Sequence, residues 1–355
     1  MLIKRLIQLD FLRGIAIILV LVRHRHLLDY TDNMGWIGVD LFFVLSGFLV
    51  SNLLFKEYQN TGRVQPLRFL IRRGFKIYPL YYLFLPIYML RSYFLDHYEA
   101  KYFITEVFFI QNYACGFGYS FMAGWSLAIE EHFYILISVF AFIFTNIAYF
   151  STRKYPKYAF EILIISIMTA CLIARIQYNI NYPNDTTYSF TTTHFRIDAL
   201  LMGVLIAYYY AFKQNYLIAF TSKIKPIILP IIMILLLFTP FIEPVSSFFV
   251  KTIGFTMVYI AFGLILTYFL CNTNINIQLN RLLTSFITNI ISQIGVYSYA
   301  IYLCHTFINM IAVRIGINNH YIVFIIYFIG SISFGKLVAN TIEIYFLRLR
   351  NKYYP

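Results

Sequence analysis

The sequence predicts an all-α, polytopic membrane protein: a bundle of about ten transmembrane helices with both termini cytoplasmic. Three observations carry this reading. Of the 355 residues, 60% are hydrophobic and only 12% charged, whereas a soluble domain is about 45–50% apolar and about 25% charged. Mean hydropathy is +0.71. Apolar runs of spanning length recur along the whole chain, joined by short polar connectors. A water-soluble globule of this size needs a charged skin, which this composition does not supply. Soluble enzymes, disordered tail proteins and secreted disulfide scaffolds are thereby excluded.

A spanning helix needs about 20 mostly apolar residues, and candidate spans fall near 10–28, 36–55, 77–95, 126–150, 158–177, 195–212, 226–242, 249–270, 295–314 and 321–346. The first follows a basic start (Lys4, Arg5) that superficially resembles a signal peptide. Asp10 and Arg13 interrupt its onset, His24 and Arg25 close it, and no small-x-small cleavage site follows, so it reads as a retained span. Segment 101–124 is apolar in its first half and broken by glycines in its second, as a re-entrant or interfacial piece would be. No polar block exceeds a short loop, so residues 1–355 read as one transmembrane domain without an appended soluble domain.

The net charge of +13 comes from 28 Lys and Arg against 15 Asp and Glu. In a membrane chain the economical explanation is topology rather than nucleic acid. With the N-terminus inside, segments 1–13, 56–76, 153–157, 213–225, 281 and 348–352 collect 19 of the 28 basic residues. The loop 178–194 has none, as an outside loop should. The four cysteines are scattered singly without a CxxC, so neither a metal site nor a disulfide frame is expected.

Ionisable side chains at membrane depth cost several kcal/mol or more unless paired, so each is a functional candidate. Arg13 and His24 stand eleven residues apart in the first span. At 100° per residue they share one helical face, about 16 Å apart along the axis. A guanidinium suits phosphate, and a neutral imidazole suits proton abstraction near neutral pH. The blander alternative is that Arg13 snorkels and His24, with Arg23, Arg25 and His26, marks the interface. Asp40 enters the second span near its outer end, where a carboxylate beside a histidine-bearing neighbour would orient the ring. For Ser46–Gly47 the packing reading leads. Arg68, Arg72, Arg73 and Lys76 form a basic run that is either topology signal, lipid contact or a phosphate-binding patch. In W125-S-L-A-I-E130-E131-H132-F-Y134, the two glutamates point about 100° apart, so at most one faces a given cavity. Arg196 and Asp198 open a later span, where they either pair with each other or bind a polar acceptor from outside. His305 sits mid-span, and His97 and His320 look like loop residues.

The strings LDFLRGIAIILVLVRH, GVDLFFVLSGFLVS, RRGFKIYPLYY, WSLAIEEHFYIL, FRIDALLMG and YSYAIYLCH, in this order, resemble the integral-membrane acyltransferase family 3 over nearly the whole chain. That family includes O-acetyltransferases of lipopolysaccharide, peptidoglycan and exopolysaccharide. The resemblance implies that His24 is essential for transfer and that Arg13 serves acyl-CoA binding. The family's cytoplasmic R-x-x-R falls on Arg73 and Lys76; the lysine keeps charge but loses the bidentate fork, which neighbouring Arg72 can supply. The family glutamate falls on Glu130. The expectation is a multi-pass cell-membrane enzyme without a metal. Acyl-CoA is its cytoplasmic co-substrate, held by Arg13, Arg72, Arg73 and Lys76. His24, oriented by Asp40 or Glu130, acts as general base or acyl relay toward a saccharide hydroxyl. Arg196, Asp198 and His305 are the expected acceptor contacts. The rival class is a transporter or flippase of polar lipids or sugars, for which matching halves with interrupted helices would be needed; the motifs each occur once.

Overall fold

A computed structural model describes residues 6–25, 27, 29–94, 99–146 and 158–354. His26, His97 and the cations Lys4, Arg5, Arg153, Lys154 and Lys157 lie outside the described residues. The described chain is all helical. In order the helices are α1 Ile7–His24, α2 Asp29–Met34, α3 Ile37–Thr61, α4 Pro66–Phe94, α5 Ala100–Val107 and α6 Gln111–Ala114. Next come α7 Gly124–Asn146, α8 Ala159–Asn181, α9 Tyr188–Thr191, α10 Thr193–Phe212, α11 Gln214–Ile224 and α12 Ile228–Leu236. The last are α13 Phe255–Cys271, α14 Ile275–Val296, α15 Ser298–Arg314, α16 His320–Val338 and α17 Ile344–Tyr353. A π-helical turn precedes α13 (Val250–Gly254) and another joins α16 to α17 (Ala339–Glu343).

Among the described residues, six helices are long and apolar enough to cross a membrane, or eight if two sharply bent pairs each count as one span. The bent pairs are α11 with α12 (83°) and α14 with α15 (80°). Of the ten spans read from sequence, those at α1 and α4 fall short by composition: α1 carries Asp10, Arg13 and Arg23, and α4 is rich in Tyr and Pro. The span read at 295–314 corresponds to α15 alone. The 22-residue α14 before it escaped notice because Gln278, Asn280, Arg281, Thr284 and Asn289 dilute its apolar face.

The chain divides into two compact units. The first comprises 1–45, 215–244 and 257–344. Here α1 lies against α14, with Phe11 packed on Ile275 and Leu279 in a small core. Two glycines allow the approach. A Cβ on Gly14 would stand 2.0 Å from the Ile291 carbonyl oxygen, and one on Gly295 only 1.8 Å from that of Asp10. Small residues of this kind let membrane helices touch backbone to backbone. The helix α14 itself is broken at Thr284, whose φ of 68° is left-handed.

The second unit comprises 46–214, 245–256 and 345–355. Segment 101–124 forms only the short helices α5 and α6 and a loop. Glu106, fully buried, organises it: its Oε1 accepts from the backbone N–H of Tyr119, Ser120 and Phe121 at 2.8, 2.8 and 3.0 Å. Burial raises this carboxyl above the ordinary glutamate range, and the amides of Phe121, Ser120 and Tyr119 pull it partly back. Gly118, at φ +123°, supplies the turn that brings these amides to the carboxylate. In the loop between α8 and α9, Asp185 accepts from the N–H groups of Thr187, Tyr188 and Ser189. Burial opposes its ionisation, but these amides outweigh it and hold its carboxyl below the usual value. Lys251, buried on the π-helical turn, donates to the carbonyls of Pro183 and Asp185 and so anchors the same loop.

Candidate active site

The first unit places the Arg13–His24 stripe of α1 against α15. The Arg13 Nε donates to Ser298 Oγ at 3.3 Å. Eleven residues on, the His24 ring meets His305 with centroids 4.6 Å apart and planes at 75°. The Asn309 amide reaches the His24 carbonyl at 3.5 Å. Ser298, His305 and Asn309 are spaced seven and four apart, one face of α15. The two residues that helical periodicity put on one face of α1 are therefore met by one face of a single neighbouring helix.

His24 ends α1 and is exposed, whereas His305 is fully buried. The His24 Nδ1 lies 2.8 Å from its own helix's Val20 carbonyl oxygen. A carbonyl accepts only, so Nδ1 carries the proton and Nε2 keeps the lone pair. The same reasoning holds for His305, whose Nδ1 stands 2.5 Å from the Tyr302 carbonyl oxygen. Its Nε2 is buried without a hydrogen-bond partner among the described residues. Next to His24, Arg23 forms a 2.6 Å ion pair with Glu243 and also approaches the Asp32 carbonyl. Asp40 is 1% exposed in the first turn of α3.

The second unit holds the other candidates. Glu130 accepts from the Tyr134 hydroxyl at 2.5 Å, one helical turn along α7, and that hydroxyl lies 2.9 Å from Ser46 Oγ. The Arg73 guanidinium sits over the Tyr134 ring at 5.6 Å and over Phe69 at 5.7 Å. Glu131 turns elsewhere and accepts from Tyr78 at 3.0 Å, the divergence that a 100° step requires. Arg72 donates to the Tyr354 backbone carbonyl, and Lys76 is half-buried on α4. Gly47 has the packing role read from sequence, since a Cβ there would stand 2.0 Å from the Leu200 carbonyl oxygen. Its neighbour Ser46 instead joins the Tyr134 hydroxyl, a partnership that sequence reasoning did not find.

Arg196 and Asp198 are each 1% exposed. Asp198 forms a 2.6 Å ion pair with Arg175 of α8, itself 0% exposed. Arg175 also donates to the Phe195 carbonyl and to Thr256. The Arg196 guanidinium stacks over Phe255 at 3.6 Å and lies near Phe190 at 5.1 Å. Sequence reasoning missed Arg175, although a lone arginine inside an apolar span is the signal it used elsewhere. It also missed the Tyr134 hydroxyl, which the i to i+4 spacing from Glu130 makes available.

Residues 6–339 match the acyltransferase-domain family model. Among curated proteins, the chain is 28% identical over 318 residues to the peptidoglycan O-acetyltransferase OatA of Listeria monocytogenes, covering 84% of this chain and 48% of that protein. It is 30% identical over 216 residues to the O-acetyltransferase OatA of Staphylococcus aureus (strain NCTC 8325 / PS 47), covering 56% and 34% respectively. The chain thus spans between a third and a half of the curated relatives it matches. No solved structure matches it.

Proposed function

The chain belongs to the acyltransferase-domain family, and from that premise we propose that it is a multi-pass cell-membrane O-acyltransferase. Its donor is acyl-CoA, acetyl in the simplest case, taken from the cytoplasmic side. Its acceptor is a hydroxyl of a cell-envelope saccharide, peptidoglycan being the acceptor named for the Listeria relative. In this reading the eight spans allowed by composition are joined by α1 and α4, giving ten with both ends cytoplasmic.

The observation that carries the reading is the α1 stripe: a guanidinium and an imidazole on one helix face, three turns apart, with the imidazole's Nε2 left as the basic nitrogen by the Val20 contact. His24 Nε2 takes the acceptor's O–H proton as the hydroxyl oxygen attacks the thioester carbonyl. The C–O bond forms, the C–S bond breaks, and the leaving thiolate recovers the proton from His24. Charge and atoms balance, and the imidazole returns to its starting state. Direct transfer is favoured over an acyl-histidine because a single basic nitrogen is needed for only one task at a time. Arg13 supplies cationic charge for the donor's phosphates, and Arg72, Arg73 and Lys76 supply more. Asp40 and Glu130 are the carboxylates serving the catalytic step. We assign Asp198, paired with Arg175, to holding α8 and α10 together, and Arg196, stacked over Phe255, to packing α10 against the start of α13.

The test is acetyl transfer by purified protein from radiolabelled acetyl-CoA to solubilised peptidoglycan fragments. His24→Ala lowers the rate by about 10²–10⁴-fold while the protein still inserts and purifies normally. Arg13→Ala acts mainly on the donor KM. A well-folded His24→Ala protein with wild-type turnover ends the mechanism.

A further inference from the structure

The acyl-transfer reading uses His24 and leaves unexplained why a second imidazole stands against it. His305 is 0% exposed, so nothing outside the protein touches it in this arrangement. Its ring lies 4.6 Å from the His24 ring, edge to face. Both Nδ1 atoms are committed to backbone carbonyls of their own helices, those of Val20 and Tyr302. Each ring therefore has one basic nitrogen, Nε2. That of His24 belongs to the exposed ring; that of His305 is buried without a hydrogen-bond partner among the described residues.

A buried polar atom left unsatisfied in the resting state is costly and calls for an explanation. A hydrophobic residue of the same size would fill the space without that cost, so packing does not account for the imidazole. The explanation comes from what happens beside it. When His24 accepts the acceptor's proton it becomes a cation, and a neutral imidazole is the polar group already in place for that charge to meet. The Nδ1–H of His305 is spent on the Tyr302 carbonyl, so the ring's remaining polar atom is the Nε2 lone pair. Two cationic rings this close repel strongly, so the pair takes up at most one proton beyond the two already on its Nδ1 atoms.

We propose that His305 is a positioning residue for His24, a neutral imidazole that fixes the orientation of the reactive ring and receives the field of its protonated form. The Asn309 amide on the His24 carbonyl completes the clamp: one face of α15 holds the ring of the base and the end of its helix. His305 acts through His24 and touches neither donor nor acceptor. This inference rests on the acyl-transfer reading, which it refines.

The experiment uses the full chain in detergent, acetyl-CoA as donor and solubilised peptidoglycan fragments as acceptor, reading kcat and the KM for acetyl-CoA separately. His305→Phe keeps the ring's bulk and removes its lone pair. It lowers kcat by about 10–100-fold and leaves KM within about twofold. His305→Gln restores an acceptor atom at that depth and recovers kcat to within about tenfold of wild type, at the same KM. A structural role lowers the yield of folded protein without splitting kcat from KM in this way, and it gives Gln no advantage over Phe. Wild-type kcat in His305→Phe, or a raised KM with kcat unchanged, overturns the inference. Should His305→Phe fail to purify as a monodisperse protein, His305→Gln is read alone: reduced kcat at unchanged KM supports the role, and wild-type kcat or a raised KM refutes it. Absence of transfer by the wild-type protein refutes the acyl-transfer reading, and this inference with it; transfer by wild type with an unaffected His305→Phe refutes the inference alone.

Discussion

Replacing Gly295 by alanine tests the helix contact that holds α1 in place. The new methyl carbon would stand 1.8 Å from the Asp10 carbonyl oxygen and 2.7 Å from the Gly14 nitrogen. Ordinary contact begins near 3.4 Å, so α1 must retreat by about 1.6 Å locally. Both clashing atoms are backbone, and no side chain can swing away to relieve them. Alanine in a helix gains about 0.5–1 kcal/mol over glycine through the unfolded chain. Overpacking costs about 1–3 kcal/mol, so the net change is a loss of up to about 2.5 kcal/mol. The larger effect falls on activity. Arg13 and His24 ride on the displaced helix, and a displacement of about 1 Å in a reacting group costs roughly 10²-fold in rate. Gly330→Ala is the matched control, since its methyl meets only the end of the Ile308 side chain at 3.1 Å. Thermal unfolding in detergent and acetyl transfer measured on both variants give the comparison. If Gly295→Ala melts and turns over like Gly330→Ala, α1 and α14 do not touch at this point and the placement of the stripe is wrong.

Two further outcomes follow from side chains away from α1. Removing one member of a buried ion pair leaves the other charge uncompensated, at a cost of about 3–5 kcal/mol. Asp198→Asn should therefore sharply reduce folded yield and unfolding midpoint, and the double change Arg175→Met with Asp198→Leu should recover much of both; equal damage from the single and double changes would show that the charge is not the issue. Glu106 gives a pH dependence. Its carboxyl is raised in the folded chain, so its contribution to the 115–123 loop is fully present below the ordinary glutamate value. It is lost as pH rises through the raised one. Limited proteolysis of that loop should accelerate with pH in the wild type, relative to an unstructured reference substrate, and Glu106→Gln should flatten the trend; an unchanged trend in the variant rules the carboxyl out as its source.

The parts of the fold and site that were legible in sequence are those with local physical causes. Helical periodicity alone put Arg13 and His24 on one face, because eleven residues close on three turns. The 100° step between Glu130 and Glu131 separated their partners, Tyr134 and Tyr78, for the same reason. The break of segment 101–124 between α6 and α7 was visible in Gly116 and Gly118, whereas the one between α5 and α6 falls at Phe109, φ 58°, with no glycine to mark it. What was not legible depends on long-range contact. Nothing in the string YSYAIYLCH says that His305 meets a residue 281 positions earlier, and it was therefore read as an acceptor contact. The helix α14 was missed because its burial is against α1, through a pair of glycines, rather than through a continuous apolar run. Arg175 was a different kind of omission: its cost at membrane depth was visible, but its partner Asp198 is 23 residues further on.

The distinction between Arg175 and His24 bears on how charges in a membrane protein should be sorted. The high cost of an ionisable group at membrane depth makes each one a candidate, but two kinds of arrangement meet that cost. Arg175 and Asp198 meet it within the protein: both are shielded, they face each other at 2.6 Å, and Arg175 also donates to Phe195 and Thr256. Such a pair is compensated and shielded on both sides, and it holds helices together. His24 is arranged the other way, on an exposed residue with Nδ1 satisfied by Val20, so that its basic nitrogen is Nε2. A group that must change its protonation state needs such an atom, and a group that only packs does not. Arg196, stacked on Phe255 and buried, is shielded within the protein as Arg175 is. His305 falls between the two classes, shielded like a structural residue but with its basic nitrogen uncommitted, as expected of a group whose partner is another reactive side chain.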